Sequence, residues 1–171
     1  MNKILIAGIG NIFLGDDAFG LEVVHKLAQR PLPSEVRVAD FGIRTYDLAY
    51  ALADGYDAAI LVDATSRGEP PGTLFLIEPD QTQLASLQAV DLDAHSLNPA
   101  HVLQLAEAFG GRPPLVYVVG CEPVELGSDD GLIGLSAPVR AAIPLAINMV
   151  ESIVSRILAK EMKPNTGFVP A

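Results

Sequence analysis

Short apolar runs alternate along this chain with segments whose apolar residues recur at helical spacing. The first run, residues 3–8, is apolar up to Gly8, which is typical of a strand buried on both faces. The pattern predicts five strands and four helices. The strands are residues 3–8, 36–41, 58–62, 73–77 and 115–120, and the helices are residues 18–30, 45–54, 97–109 and 136–160.

The order of these elements predicts the fold class. Alternating strands and helices favour a three-layer α-β-α fold with a twisted, mainly parallel five-stranded sheet, of the phosphorylase/hydrolase-like kind. Only about nine residues separate the third and fourth strands, too few for a helical crossover, so the fourth strand should be antiparallel and at an edge. We expect one domain over residues 1–163, a mobile tail at residues 164–171, and a kink or break in the last helix at Pro144.

Composition and charge argue against a nucleic-acid-binding, disulfide-bonded or membrane-spanning protein. The net charge of −10 argues against binding to a nucleic-acid backbone. Cys121 is the only cysteine, so no disulfide forms within the chain, which fits a reducing, cytoplasmic location. The apolar stretch 141–150 is shorter than the roughly 20 residues of a membrane span, so we expect no membrane partner.

Acidic residues follow three of the predicted strands. Ligands of open α/β sheets bind at the carboxyl ends of the strands, where Asp17, Asp40 and Asp63 should lie, with His95 just before a helix. Each has a structural alternative. Asp17 or its neighbour Asp16 could cap the following helix, Asp40 and Asp63 could accept hydrogen bonds from loop amides, and His95 alone would be an ordinary loop histidine.

The glycine-rich loop after the first strand resembles a dinucleotide-binding loop only superficially. Phe13 stands where that fingerprint requires a third glycine. Asp16 and Asp17 would also repel a pyrophosphate at the helix N-terminus. We therefore do not expect a nucleotide cofactor.

Asp17, Asp63 and His95 together could bind a divalent metal ion. Two carboxylate oxygens and one imidazole nitrogen suit Zn²⁺, Ni²⁺, Mn²⁺ or Fe²⁺, and three protein ligands leave coordination positions open. Cys121 at the end of the fifth strand has two possible roles. It could be a thiolate nucleophile paired with His95, or a small buried apolar residue. We expect His25 to lie at the surface.

The stretch GIGNIFLGDDAFG at residues 8–20 closely resembles the opening motif of the [NiFe]-hydrogenase maturation endopeptidases. The similarity continues in the family's order over nearly the whole chain. It includes residues 40–43, 62–64, 71–73, the His95 segment with residues 102–103, and residues 119–120 with 134–136. Two departures are the loop DFGIR at residues 40–44, where the family often has Asp-Gly-Gly-Thr, and Ala18 in place of a common glycine.

The resemblance implies a function and a set of site residues. Members of the family remove a short C-terminal extension from the hydrogenase large-subunit precursor after nickel insertion, and their metal ligands correspond to Asp17, Asp63 and His95. The nickel would arrive with the substrate, and Zn, Cd or Mn could occupy the site in vitro. The partner would be the [NiFe]-hydrogenase large-subunit precursor, and we expect the protease itself to be a monomer.

The catalytic step stays open at this stage. Asp16 or Asp40 could act as the general base that activates water, or two of the acids could share a proton as in aspartic proteases. Two other functions are alternatives. One is a peptidase that depends on Cys121 and His95, and the other is a checkpoint protein that binds the nickel site without cutting.

Overall fold

The computed structural model describes residues 3–78, 99–112, 114–126, 131 and 133–162. Its sheet has five strands in the order β2-β1-β3-β5-β4. The strands are β1 (Ile4–Ile9), β2 (Val36–Gly42), β3 (Ala58–Ala64), β4 (Leu74–Ile77) and β5 (Leu115–Cys121). β1, β2, β3 and β5 are parallel, whereas β4 is antiparallel to β5 at the edge. The short connection before β4 thus correctly predicted its direction.

In the described part of the chain, four helices cover the two faces of the sheet. They are α1 (Phe19–Leu27), α2 (Thr45–Ala53), α3 (Pro99–Ala108) and α4 (Ala137–Leu158). Alternate residues of β1 enter two separate cores, Ile4 and Ile6 with α1 and α4, and Leu5 and Ala7 with α2 and α3. Burial on both faces explains why the strands read as continuous apolar runs. The predicted three-layer α-β-α class is confirmed.

Two helices differ from their predicted form. The segment predicted as one helix from residue 18 starts with a separate 3-10 turn, Gly15–Ala18, which precedes α1. α4 is continuous through Pro144, so of the two predicted effects of this proline, a kink or a break, the break does not occur. Ile143 and Ile147 on either side of the proline are buried in the core, and this packing holds the helix together despite the missing backbone N–H.

α4 is also long and apolar enough to cross a membrane by length and composition. Its residues from Val139 to Ile157 nevertheless line the core against α1 and the sheet, as in the core helix of a globular domain. The segment predicted to be a mobile tail, residues 164–171, lies outside the described residues.

Candidate active site at the carboxyl edge of the sheet

Two glycines bring the 3-10 turn close to the carboxyl ends of β1 and β3. A Cβ atom on Gly20 would lie 2.0 Å from the carbonyl oxygen of Val62 and 2.5 Å from that of Ile9. Gly10 has a φ of +142°, and a Cβ there would lie 1.8 Å from the carbonyl oxygen of Asp17. The glycines of the motif therefore allow close backbone packing and place Asp17 at the end of β1.

The side chain of Asp17 is buried and held in a defined orientation. Its Oδ2 accepts a hydrogen bond of 2.9 Å from the backbone N–H of Asn11. The Asn11 side chain in turn accepts a bond of 2.9 Å from the N–H of Phe13, which shapes the loop from within. The loop thus fixes the Asp17 carboxylate from the β1 side.

Asp63 lies inside β3, opposite Gly120 of β5, and not after the strand as predicted. Its neighbours Val62 and Ala64 face α1 and α4, so the side chain of Asp63 projects to the face covered by α2 and α3. Burial raises the pKa of Asp63 well above its usual value, and the negative charge of Asp17 raises it further. A hydrogen bond from the Ala64 backbone opposes this shift. The carboxylates of Asp17 and Asp63 therefore lie close enough to repel each other, and a cation between them would relieve this repulsion.

The third proposed ligand, His95, lies outside the described residues. α3 begins four positions later at Pro99, and its Val102, Leu103 and Ala106 pack on the face to which Asp63 projects. Within the described part of the chain, no three His, Cys, Asp or Glu side chains group into a complete metal site. Asp17 and Asp63 are the two predicted ligands that the structure brings together.

Asp16 joins distant parts of the chain. It is 3% exposed, and its Oδ1 accepts a hydrogen bond of 2.7 Å from the N–H of Ser136. Its Oδ2 accepts bonds of 2.9 Å from the N–H of Val124 and from the Ser136 hydroxyl. Ser136 is the N-cap of α4, so Asp16 caps that helix. The sequence had suggested that Asp16 or Asp17 could cap the helix that follows them, α1. Asp16, one of the two acids proposed as the general base, thus accepts three hydrogen bonds, and both of its oxygens are engaged.

Asp40 lies near the end of β2 and pairs with a residue of α1. Its Oδ2 is 2.7 Å from Nε2 of His25, and both side chains are partly exposed, which confirms the expectation that His25 lies at the surface. The Arg44 guanidinium donates to the carbonyl oxygens of Asp40 and Phe41, which closes the turn after β2. Of the two acids proposed as general base, Asp40 is the more accessible to water.

Cys121 is fully buried in the core between the sheet and α1 and α4. Burial raises the pKa of its thiol to about 12, with further contributions from the charges of Asp16 and Glu122. The thiol is therefore protonated at neutral pH, which favours the reading of Cys121 as a buried apolar residue.

Glu122 was not among the predicted site residues, although it stands directly after β5 as the other acids stand at strand ends. Glu122 is 6% exposed and accepts hydrogen bonds from the N–H groups of Arg67, at 2.7 Å, and Gly68, at 3.3 Å. Glu122 thus has the structural role that was suggested for Asp40 and Asp63, that of accepting bonds from loop amides.

Comparison with known proteins identifies the family. Residues 21–153 match the family model of hydrogenase maturation proteases. The hydrogenase expression/formation protein HupD of Rhizobium leguminosarum bv. viciae is 31% identical over 172 residues, covering 98% of this chain and 82% of that protein.

Two solved structures extend the similarity to the fold. The hydrogenase maturating endopeptidase HybD from E. coli superposes with a TM-score of 0.76 at 31% identity, covering 91% of this chain and 93% of that one. The hydrogenase 2 maturation peptidase from Thaumarchaeota archaeon SCGC_AB-539-E09 gives a TM-score of 0.67 at 29% identity, covering 90% and 98%. The chain therefore belongs to the hydrogenase maturation protease family.

Proposed function

We propose that this protein is the endopeptidase that removes the C-terminal extension of a [NiFe]-hydrogenase large-subunit precursor once nickel has been inserted. The observation that carries the proposal is the Asp17–Asp63 pair at the carboxyl edge, in which burial and mutual repulsion raise the pKa of Asp63. Such a pair is poised to accept a cation. In this proposal the cation is the nickel of the precursor, and His95 is the third ligand.

The surface around the pair supports a protein substrate. Large apolar side chains are exposed in the loops that follow the carboxyl ends of β1, β2 and β5 and at the start of α2. They are Ile12, Phe13, Ile43, Tyr46, Val124 and Leu126. Apolar side chains exposed along one edge are typical of a surface that binds another protein. The scissile segment of the precursor would lie across this apolar edge.

Anchoring the precursor through its nickel would hold the scissile peptide in one position, and positioning is a large part of the rate enhancement of enzymes. Asp40 is our choice for the general base, because its carboxylate is accessible to water while three donors occupy Asp16. The base would take a proton from water as its oxygen attacks the peptide carbonyl, and the proton would pass to the departing amine. Asp16 would then act by holding its neighbour Asp17 in place.

Mass spectrometry of nickel-loaded precursor incubated with the protein tests the proposal. We expect loss of the C-terminal extension with the wild-type protein, and no loss from precursor prepared without nickel. Asp17→Ala and His95→Ala should keep the circular dichroism spectrum of the wild type and leave the precursor uncut. An unchanged precursor mass with the wild-type protein would support the checkpoint alternative.

The Cys121-dependent alternative has its own test. A buried thiol with a pKa of about 12 is a poor nucleophile, so Cys121→Ser should cut the precursor at the wild-type rate. Loss of cleavage in a folded Cys121→Ser variant would instead favour the thiol mechanism.

A further inference from the structure

A groove on the outer face of α1 and α4 concentrates positive charge in this acidic protein. The groove has a volume of about 220 Å³. Its rim and floor include Lys26, Arg30, Arg140, Ile143, Pro144 and Ile147. Three of the chain's 11 basic residues thus surround one small cavity, although the net charge of the chain is −10.

Within the described residues, two of the three cations have no acidic partner. Arg30 forms an ion pair of 3.1 Å with Glu151. No carboxylate of the described residues lies within 4.0 Å of Lys26 or the Arg140 guanidinium. Arg140 donates one hydrogen bond, of 2.9 Å, to the carbonyl oxygen of Leu135, which leaves most of its N–H groups for a ligand.

The position of Arg140 is unfavourable for helix stability. It lies in the first turn of α4, where the helix dipole disfavours a cation. Four positions later Pro144 has no N–H, so the carbonyl oxygen of Arg140 lacks its usual helical donor. Ile143 and Ile147 form an apolar floor beside it. The groove therefore offers cations beside an apolar surface, which suit an extended peptide that carries a carboxylate next to aliphatic side chains.

The groove starts close to the candidate active site. Ser136, one turn before Arg140, is hydrogen-bonded to Asp16, and Asp16 is adjacent to the proposed ligand Asp17. From there the groove runs along α1 and α4 away from the carboxyl edge, since Arg30 pairs with Glu151 near the far end of α4. A protein whose cleavage segment lies across the edge could reach the groove with a second segment.

We propose that this groove is a second docking site for the precursor and binds an acidic, aliphatic segment of it at a distance from the scissile bond. The identity of the partner rests on the proposed function, whereas the chemistry of the ligand rests on the groove. Docking of this kind lowers KM for the whole precursor and leaves kcat unchanged, since the groove residues do not touch the reacting atoms.

Charge reversal provides the test. The double variant Lys26→Glu with Arg140→Glu is compared with the control Lys3→Glu with Arg112→Glu, which changes the net charge equally at two exposed residues that precede β1 and β5. Binding of nickel-loaded precursor is measured by biolayer interferometry, and cleavage by mass spectrometry. We expect Kd and KM of the groove variant to rise about tenfold and kcat to stay within about twofold of wild type. The control should stay within about twofold in all three.

Salt gives a second readout. Raising NaCl from about 50 to about 300 mM should weaken precursor binding by the wild type more than binding by the groove variant, because ions screen exposed charges. If the reversed pair fails to fold by circular dichroism, Lys26→Gln with Arg140→Gln replaces it, with an expected rise in Kd of about threefold.

The outcomes separate the two proposals. If the groove variant cleaves the precursor with the same KM as the control variant, the docking site is overturned and the protease assignment stands. Groove-dependent binding without cleavage by the wild type supports the docking site and overturns the protease assignment. A wild-type protein that neither binds nor cuts the precursor overturns both.

Discussion

Replacing Asp16 with Asn separates a structural from a catalytic role for this buried acid. The carboxylate accepts three hydrogen bonds, from the N–H of Ser136, the N–H of Val124 and the Ser136 hydroxyl. An amide has only one oxygen, so in either orientation its NH₂ group faces one of the two backbone N–H donors. Asp16→Asn therefore loses at least one charge-assisted bond and leaves a backbone donor unpaired in a site that is 3% exposed.

The size of this loss follows from those contacts. A hydrogen bond to a charged group contributes about 1.5–3 kcal/mol, and an unsatisfied buried donor costs about 1–3 kcal/mol. The two overlap, so we expect Asp16→Asn to lower the free energy of unfolding by about 3 kcal/mol. For a chain of this length that corresponds to a fall in Tm of about 10 °C.

Urea and thermal unfolding, followed by circular dichroism, measure this loss, and Asp40→Asn is the matched comparison. The Asp40–His25 pair is partly exposed, so its removal should change stability by less than about 1 kcal/mol while precursor cleavage falls sharply. Asp16→Asn, assayed below its own Tm, should retain measurable cleavage. The reasoning is refuted if Asp16→Asn unfolds like the wild type but no longer cuts, because Asp16 would then act in the chemistry.

Three further predictions concern the same edge of the sheet. Gly20→Ala should lower the free energy of unfolding by about 2–3 kcal/mol in urea, because its Cβ would meet two carbonyl oxygens within 2.5 Å; a stability gain from the better helix former would contradict the close packing. Since the pKa of Asp63 is raised on folding, the wild type should lose stability as pH rises from about 4 through the folded-state pKa. Asp63→Asn should therefore have the higher Tm at pH 7 and no advantage near pH 3, and a lower Tm at pH 7 would refute this sign. Cys121 should react with thiol reagents only on unfolding, and fast labelling of the native protein at pH 8 would contradict its burial.

The fold was predictable because the relevant signals are local. An apolar run such as residues 3–8 defines a strand buried on both faces, and a short connection before β4 restricts its direction. The break predicted as one outcome at Pro144 does not occur, because the intrinsic cost of an internal proline is not the only contribution to helix stability. The buried Ile143 and Ile147 offset that cost.

The site was predictable only as far as the carboxyl-edge rule extends. That rule predicted that Asp17 and Asp63 lie near each other, as the structure shows. It does not predict which acid has a structural role and which is available to a ligand. Asp16 is bonded to Val124 and Ser136, which lie 108 and 120 positions further along the chain. No local sequence pattern encodes such a contact. Glu122 also accepts bonds from distant amides, 54 and 55 residues away, although its place directly after β5 is a position that the same rule indicates.

The 3-10 turn explains how two adjacent aspartates take opposite roles. A 3-10 helix has about three residues per turn, so consecutive side chains point roughly 120° apart. Asp16 is directed toward β5 and the N-terminus of α4, and Asp17 toward Asn11 and Asp63. The bonds that Asp16 forms connect the turn to the segment after β5 and to the start of α4. Because these bonds position the residue next to Asp17, we expect Asp16 to matter first for stability and only through Asp17 for cleavage.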